Sequence, residues 1–430
     1  MKSPQPEKRA ERVRETPVCP WRPLDRRAFL RWSLVAGAGY ASGIWAGAAG
    51  SKETGETTDS ASPSRTPPRA PVAIALCKTY RYREVRDALA RMFDQLGGLG
   101  RLVRGKSVVV KVNLVNTSKE DVGGVPLWLT VTVHPIVAMA LGELLVRNGA
   151  RRVTFCDQLP FRCSDEEAFA GYGFDWKRFN EVGEGRIRFL NTRNRHPFRD
   201  YAIVRVPDGG DVARLWEVNR IYAEADVLVS LGKLKEHVSG GITAGMKNLF
   251  GVPPSSLYGD DLKDGPDENA IGYRNRTMHT GERQPFTSVP SFTGRTVLDD
   301  HGINVPRFIV DLNMAFPISL VVLDAISVIQ TAEGWWLGSM VTVTRPGLLI
   351  AGLNPVCTDA VAAAVMGFDP DAPHRTWPFV NGLNYLRLAR QRGLGENRLR
   401  YIEVVGEPLE RAQFGFHPTY RRINPERRSA

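Results

Sequence analysis

Three consecutive stretches decide the fold of this chain: SVVVKVN at residues 107–113, HPIVAMALGELLVRNG at 134–149 and RVTFCD at 152–157. The first and third are nearly continuous apolar runs, which are typical of strands buried on both faces of a parallel sheet. The second has helical spacing, with Pro135 suited to its first turn and Gly149 to its end. This order predicts an α/β fold, with mostly parallel sheets flanked by helices and joined by right-handed crossovers.

The same alternation continues along the chain. It predicts strands at 71–76, 227–231, 319–324, 347–352 and 399–405, and helices at 82–96, 305–314, 378–392 and after Asn354. Residues 187–190 and 202–206 are predicted to form a small antiparallel excursion. A length of 430 residues suits one large domain or two intimately joined α/β lobes, which we place at 71–410, before a tail at 411–430. A polar, Gly- and Pro-rich segment at 255–300 is predicted to be an insertion or lid.

The N-terminal segment has the features of a targeting signal rather than of a folded core. The sequence RRAFLR at 26–31 precedes a weakly apolar, Gly- and Ala-rich stretch, and AGA at 46–48 offers a cleavage site. We predict a twin-arginine signal peptide over 1–48 and a flexible linker over 49–70. A membrane anchor is the alternative, although the apolar stretch is weak for that role.

This leader predicts where the protein works and one partner, the twin-arginine translocase. The expected location is periplasmic or otherwise extracytoplasmic, and the protein is membrane-tethered only if the leader stays uncleaved. Proteins that use this route cross the membrane already folded, which favours a cofactor inserted beforehand, although the sequence leaves its identity unknown.

Charge and cysteine usage exclude two classes of protein. Residues 1–70 hold 12 Lys and Arg against 7 Asp and Glu, and the remaining residues hold 45 against 39, so the basic excess is diffuse and predicts no nucleic-acid binding. Cys77, Cys156, Cys163 and Cys357 include no CxxC pair, so we expect neither an iron–sulfur cluster nor a structural zinc site. Cys156 and Cys163 could pair as a disulfide.

Polar chemistry concentrates in LGKLKEHVSGGITAGMKNLFGVPP at 231–254, directly after a predicted strand. Ligands of open α/β sheets bind beyond the carboxyl ends of strands, and we predict that a helix at 242–250 points its N-terminus at an anion such as a carboxylate or phosphate. The candidate catalytic residues in this stretch are Lys235, His237, Lys247 and Asn248. The candidate substrate-binding residues are Lys233, Gly240, Gly241 and Thr243.

Other candidate residues stand at strand ends or helix starts that a parallel sheet would bring to the same edge. They are Lys111 and Asn113 for substrate binding, His134 and Asp157 for catalysis, and His301, Asp324 and Asp359 as candidate metal ligands. His237 or His134 would act as general base or metal ligand, and Lys235 or Lys247 as an electrostatic clamp.

Four segments resemble the DUF362 family: 102–115 with 133–158, then 222–252, 319–326 and 347–370. The resemblance implies the fold and little biochemistry. Many members resemble iron–sulfur proteins because a ferredoxin-type domain follows, and we expect no such domain here. Lys235-Glu236-His237 departs from the family's more usual Lys-Thr-His, and residues 333–338 replace a Gly-Pro-containing loop, which makes a role for Glu333 doubtful.

Two functional classes remain open. The first is a cofactor- or metal-dependent enzyme, of redox or isomerase type, acting on a small anionic substrate. The second is a non-catalytic periplasmic ligand-binding or redox-accessory protein that uses the same loop. Convergence of the imidazole and carboxylate groups around one site would favour the enzyme.

Overall fold

The apolar runs of the sequence form one large sheet covered by helices. The computed structural model describes residues 66–114, 131–159, 164–193, 200–254, 301–330 and 342–415, with 121–122, 125–126, 258, 278–279, 291–293, 297 and 300. The predicted signal peptide, most of the linker, most of the 255–300 insertion, Glu333 with its loop, and the tail beyond 415 lie outside these described residues.

The strands are short and mostly buried. They are β1 (Val72–Leu76), β2 (Ser107–Lys111), β3 (Asp121–Val122), β4 (Val125–Pro126), β5 (Arg152–Asp157), β6 (Ile187–Asn191), β7 (Tyr201–Arg205), β8 (Ala213–Asn219), β9 (Val227–Lys233), β10 (Lys235–His237), β11 (Gly241–Thr243), β12 (Ser291–Phe292), β13 (Leu320–Ala325), β14 (Val328–Gln330), β15 (Thr342–Thr344), β16 (Leu348–Gly352) and β17 (Val404–Gly406).

The helices lie between these strands. They are α1 (Tyr82–Gln95), α2 (Gly100–Val103), α3 (Pro135–Arg147), α4 (Asp165–Ala170), α5 (Trp176–Val182), α6 (Arg220–Ala223), α7 (Gly245–Asn248), α8 (His301–Ala315), α9 (Pro355–Val365), α10 (Tyr385–Gln391) and α11 (Leu409–Ala412). Short 3-10 turns occupy Pro207–Gly209, Leu249–Gly251 and Leu399–Tyr401. Among the described residues, no helix combines the length and apolar character that a membrane span requires.

The central sheet has eight strands in the order β17-β1-β16-β13-β9-β2-β5-β6. Every neighbouring pair is parallel except the two that involve β16, which runs antiparallel to β1 and β13. The mostly parallel α/β fold predicted from the sequence is therefore confirmed. The small sheets are β10-β11, β12-β8-β7, β14-β15 and β3-β4.

Alternate residues of the central strands enter two hydrophobic cores on opposite faces of the sheet. In β16, Leu348 and Ile350 belong to one core, while Leu349 and Ala351 belong to the other. Helices α1 and α3 contribute to the second core, and α8 and α9 to the first. Because both faces are covered, the strands are apolar along their length, and polar side chains collect where the strands end.

Three sequence predictions about single elements were wrong. Strand β6 pairs in parallel with β5 in the central sheet, whereas β7 pairs antiparallel with β8, so the two do not form one excursion. Helix α10 begins only at Tyr385, because the side chain of Asn384 accepts the N–H groups of Leu386 and Arg387 and caps it there. The predicted strand at 399–405 is a 3-10 turn followed by β17.

Candidate functional site

Four neighbouring strands end in charged residues at one edge of the sheet. In the spatial order β13, β9, β2 and β5, these residues are Asp324, Lys233, Lys111 and Asp157. Lys233 Nζ lies 2.9 Å from Asp324 Oδ2, and Lys111 Nζ lies 2.7 Å from Asp157 Oδ1. The two central lysines are thus each neutralised by an outer aspartate, so this row of charges has no net charge of its own.

The Lys111–Asp157 pair is part of a buried network that reaches the central loop. Asn248 donates from Nδ2 to the carbonyl of Lys111 at 2.9 Å and to Ser230 Oγ at 3.1 Å. Asp157 accepts the backbone N–H of Leu114 at 2.8 Å. The side chains of Lys111 and Asp157 are 2% and 6% exposed. Lys111, Asp157 and Asn248 are thus buried and bonded to neighbouring protein groups, and the substrate contact or catalysis expected of them from the sequence stays a prediction.

The Lys233–Asp324 pair is completed by Tyr80, which the sequence analysis missed. Tyr80 donates its hydroxyl proton to Asp324 Oδ1 at 3.0 Å and accepts a hydrogen bond from Lys233 Nζ at 3.0 Å. Burial of Lys233, with no exposed side-chain surface, lowers its pKa, and Asp324 opposes this effect. Tyr80 lies a few residues after β1, so the rule applied to the other strand ends could have found it.

His134 lies on this network and is fixed at three points. Its ring stacks on the Tyr80 ring with centroids 3.8 Å apart and an interplanar angle of 11°. Its backbone N–H donates to Asp324 Oδ2 at 3.0 Å, and its Nδ1 accepts the N–H of Ile136 at 3.1 Å as the cap of α3. Because Nδ1 uses its lone pair there, the proton of the neutral ring sits on Nε2.

Burial lowers the pKa of His134 to about 4, and Lys233 adds to this effect while Asp324 opposes it. The ring is therefore neutral at pH 7. Its Nε2–H has no hydrogen-bond partner among the described residues, and the residue is only partly buried. His134 is consequently held as a neutral ring with its proton on Nε2, and the role of general base or metal ligand expected from the sequence stays a prediction.

Lys235 reaches from the central loop to β2. Its Nζ donates to Asn113 Oδ1 at 3.1 Å and to the carbonyl of Val131 at 2.6 Å. The Asn113 side chain therefore orients an ammonium group. Lys235 also forms a backbone pair with Thr243 in the β10-β11 hairpin, and the hydroxyl of Thr243 is buried with no hydrogen-bond partner among the described residues.

The central loop opens with a hairpin, so the helix predicted at 242–250 begins only at Gly245 and continues as a 3-10 turn from Leu249. The β-branched residues Ile242 and Thr243 pair with β10, and α7 spans only Gly245–Asn248. Gly241 has a φ of +75°, and a Cβ there would lie 2.5 Å from a ring atom of Phe379. Close packing, rather than approach to a ligand, explains this glycine.

His237 sits in the turn of this hairpin as a second neutral imidazole. Its Nδ1 accepts the N–H groups of Ser239 and Gly240 at 3.2 and 3.1 Å, so its ring proton is on Nε2. Burial lowers its pKa well below the usual value. The surrounding charged side chains act in the same direction, and they are Lys247, His279, Lys235 and His301.

These basic side chains form a continuous group, which we call the basic cluster: Lys235, His237, Lys247, His279 and His301. Lys247 Nζ lies 4.0 Å from the centroid of the Phe250 ring, which in turn contacts His279 edge-on with centroids 5.1 Å apart. The rings of His279 and His301 are 5.5 Å apart. His279 falls in the segment predicted as an insertion, and its sequence context carried no signal for this site.

The anion at the start of α7 is supplied by the protein itself. Asp359 accepts the N–H of Gly245 at 2.7 Å and that of Met246 at 2.9 Å, and Tyr385 donates its hydroxyl to the same carboxylate at 2.9 Å. This carboxylate occupies the helix start at which the sequence analysis placed a ligand. Burial raises the pKa of Asp359 to about 7.

The candidate metal ligands are separated. Asp324 binds Lys233 and Tyr80, Asp359 binds backbone amides, and His301 lies beside His279. Among the described residues no three His, Cys, Asp or Glu side chains are arranged to hold a metal ion. These residues therefore do not fit a metal centre.

Neither the described cysteines nor the surface depression near β1 includes a candidate site residue. Cys77, Cys156 and Cys357 are buried thiols. Cys163, the possible partner of Cys156, lies outside the described residues, so that disulfide stays a prediction. None of the candidate site residues lines the shallow surface depression whose walls are Leu76, Cys77, Lys78, Glu84, Asp87 and Arg91.

Comparison with known proteins places the chain in a family. The thylakoid-associated protein sll1697 of Synechocystis sp. is 26% identical over 203 residues, which are 47% of this chain and 56% of that protein. This chain thus matches only about half the length of that relative. A Thermotoga maritima protein of known structure is 14% identical, with a TM-score of 0.32 over 60% of this chain and 52% of its own.

The lactate racemase apoprotein of Thermoanaerobacterium thermosaccharolyticum is 16% identical, with a TM-score of 0.33 over 60% of this chain and 50% of its own. The model of the family described as a domain of unknown function, DUF362, matches residues 108–364. Since this match covers more than half of the 430 residues, the chain belongs to the DUF362 family.

Proposed function

We propose that this protein is an exported enzyme that binds a small anionic substrate at the carboxyl edge of its sheet. The observation that carries the proposal is the basic cluster. Its other four side chains all lower the pKa of His237, which means that each of them opposes a positive charge on that ring. Such a cluster attracts a carboxylate or phosphate. The neutral Nε2–H donor of His134 suits an oxygen on which negative charge develops during a reaction.

Buried polar atoms support a ligand at this edge. Thr243 Oγ1 and Gln330 Oε1 are buried and lack hydrogen-bond partners among the described residues. Strand β14, which carries Gln330, packs against β10 of the central hairpin. Leaving such atoms unpaired is costly, and a bound polar molecule would satisfy them. Redox or isomerase chemistry that depends on a cofactor is compatible with this arrangement.

A non-catalytic binding or redox-accessory protein is the second candidate. It is favoured by the fact that the Nδ1 lone pairs of His134 and His237 are both used by backbone N–H groups, which leaves neither ring as a ready general base. In that case the same cluster would hold an anion without turnover. Twin-arginine export belongs to both proposals and is supported by the sequence at 26–48.

Calorimetric titration of the full chain with inorganic phosphate and small carboxylates tests the anion site. We expect Lys247→Met to weaken binding roughly tenfold, since a partly desolvated charge contact is worth about 1.4 kcal/mol or more. Lys177→Met, which removes an exposed lysine on α5, is the control and should bind as the parent does. Equal affinity in both variants would refute the anion site, and binding without turnover of any tested anion would favour the second candidate.

A further inference from the structure

We propose that His134, Ser327 and Tyr80 form a polar subsite that binds a second oxygen of the substrate, with Tyr80 positioning the other two residues. The inference rests on the proposed function, because it assigns a further contact to the same substrate. In this subsite His134 donates from Nε2, Ser327 contributes its hydroxyl, and Tyr80 acts only through them.

The hydroxyl of Tyr80 has no hydrogen-bonding position left for a ligand. Its hydroxyl donates to Asp324 and accepts from Lys233 at 3.0 Å each, and it accepts the N–H of Ser327 at 3.3 Å. One donor and two acceptor positions are all that a phenol offers. Tyr80 is therefore a positioning residue, joining the ends of β9 and β13 to the ring of His134 and the backbone of Ser327.

The two polar groups positioned by Tyr80 both lack a hydrogen-bond partner among the described residues. Ser327 Oγ is buried, with the residue 6% exposed, and has no hydrogen-bond partner among the described residues. His134 Nε2–H is likewise without a partner there, although the other contacts of its ring and backbone are fixed. A rigid donor and an unsatisfied hydroxyl, on two residues that both contact the same tyrosine, would each gain a partner from a bound polar oxygen.

The charges around the His134 ring are balanced. The charged groups that face the His134 ring are Asp324 from β13 and Lys233 from β9, and these two neutralise each other as an ion pair. The low pKa of the ring keeps it neutral near pH 7. The subsite thus lacks a net charge, and it fits a carbonyl, hydroxyl or phosphoryl oxygen, while the basic cluster attracts the anionic charge.

The test is nuclear magnetic resonance of ring nitrogens in the full chain labelled with ¹⁵N-histidine. We expect His134 to show the Nε2–H tautomer at pH 7 and to titrate near pH 4. Tyr80→Leu should remove the stacked ring and raise this pKa by at least one unit, whereas Tyr80→Phe should keep most of the shift. Tyr82→Leu, whose hydroxyl bonds to Glu143 instead, is the matched control. An Nδ1–H tautomer in the parent, or an unchanged titration in folded Tyr80→Leu, would overturn the positioning role.

Inorganic phosphate is the probe for binding. We expect it to shift the Nε2 resonance of His134, and Ser327→Ala to weaken phosphate binding several-fold while leaving the thermal midpoint unchanged or higher, because the replaced hydroxyl is unsatisfied. A shift of His237 without one of His134 would overturn the subsite and leave the proposed function standing. No shift of either residue with phosphate or with the small carboxylates would overturn both.

Discussion

At the scale of single residues, the site depends on lysines whose charge is compensated one strand away. Lys233 and Asp324 have no exposed side-chain surface, and the register places them directly opposite each other on β9 and β13. A buried ion pair adds little net stability compared with apolar residues of equal size, but removing one partner leaves a charge without compensation. We therefore regard this pair as a means of fixing Tyr80 and His134, rather than as a source of stability.

Lys233→Met tests this interpretation. We expect the free energy of unfolding to fall by about 3–5 kcal/mol, because Asp324 loses its counter-charge inside the protein. The measurement is chemical denaturation followed by tryptophan fluorescence. The double variant Lys233→Met/Asp324→Leu should recover much of the loss. The exposed pair of Arg86 and Asp87 supplies the control, since Arg86→Ala should cost less than about 1 kcal/mol. A loss equally small for Lys233→Met would contradict the compensation argument.

At the scale of elements, the ends of the strands were predictable and the loops that follow them were not. Apolar runs located β2, β5, β9 and β13, and the rule for parallel sheets brought their terminal charges to one edge. The pairing of each lysine with an outer aspartate could not be predicted, because a single sequence does not reveal the order of strands in the sheet. The predicted helix began too early, at Ile242, because the short strand β11 carries too few residues to show alternation.

Helix α7 shows how a tertiary contact replaced a predicted ligand. A four-residue helix is not stable alone, and it is held where Asp359, from α9, accepts the N–H groups of Gly245 and Met246. The sequence shows Asp359 only as a polar residue among alanines. Its partner lies more than a hundred residues away, so no local pattern could connect the two.

Titration of Asp359 should be visible in the stability of the whole protein. Its pKa is raised to about 7 in the fold. A carboxyl with a raised pKa contributes stability at low pH, and this contribution is lost as the pH rises through about 7. We therefore expect Asp359→Asn to flatten the change in unfolding free energy between about pH 4 and pH 7, measured by denaturation at each pH. Asp369→Asn, at an exposed position, is the control, and an identical pH dependence in both variants would argue against this assignment.

At the scale of the whole molecule, the sheet has two properties that differ in how well a sequence predicts them. Its two faces belong to two apolar cores, while the two buried lysine–aspartate pairs lie at one edge. Composition and periodicity specify the first property, which is why the α/β architecture was predictable. The second depends on which side chains meet across strands, so the sequence named His134, Lys111 and Lys233 as candidates but not the partners that each of them contacts.

A domain of this kind has consequences for export. Strands from residues 72 to 406 meet in one sheet, so distant parts of the chain must come together before the site exists. A route that carries folded proteins suits such a domain, and the twin-arginine sequence at 26–31 is the feature that would direct it there. We expect Arg26→Lys/Arg27→Lys to retain the protein in the cytoplasm, folded and with unchanged phosphate affinity, because the substitution leaves the domain intact. Fractionation followed by immunoblotting measures this, with Arg12→Lys/Arg14→Lys as the control outside the motif. Export of both variants to the same extent would show that the leader assignment is wrong.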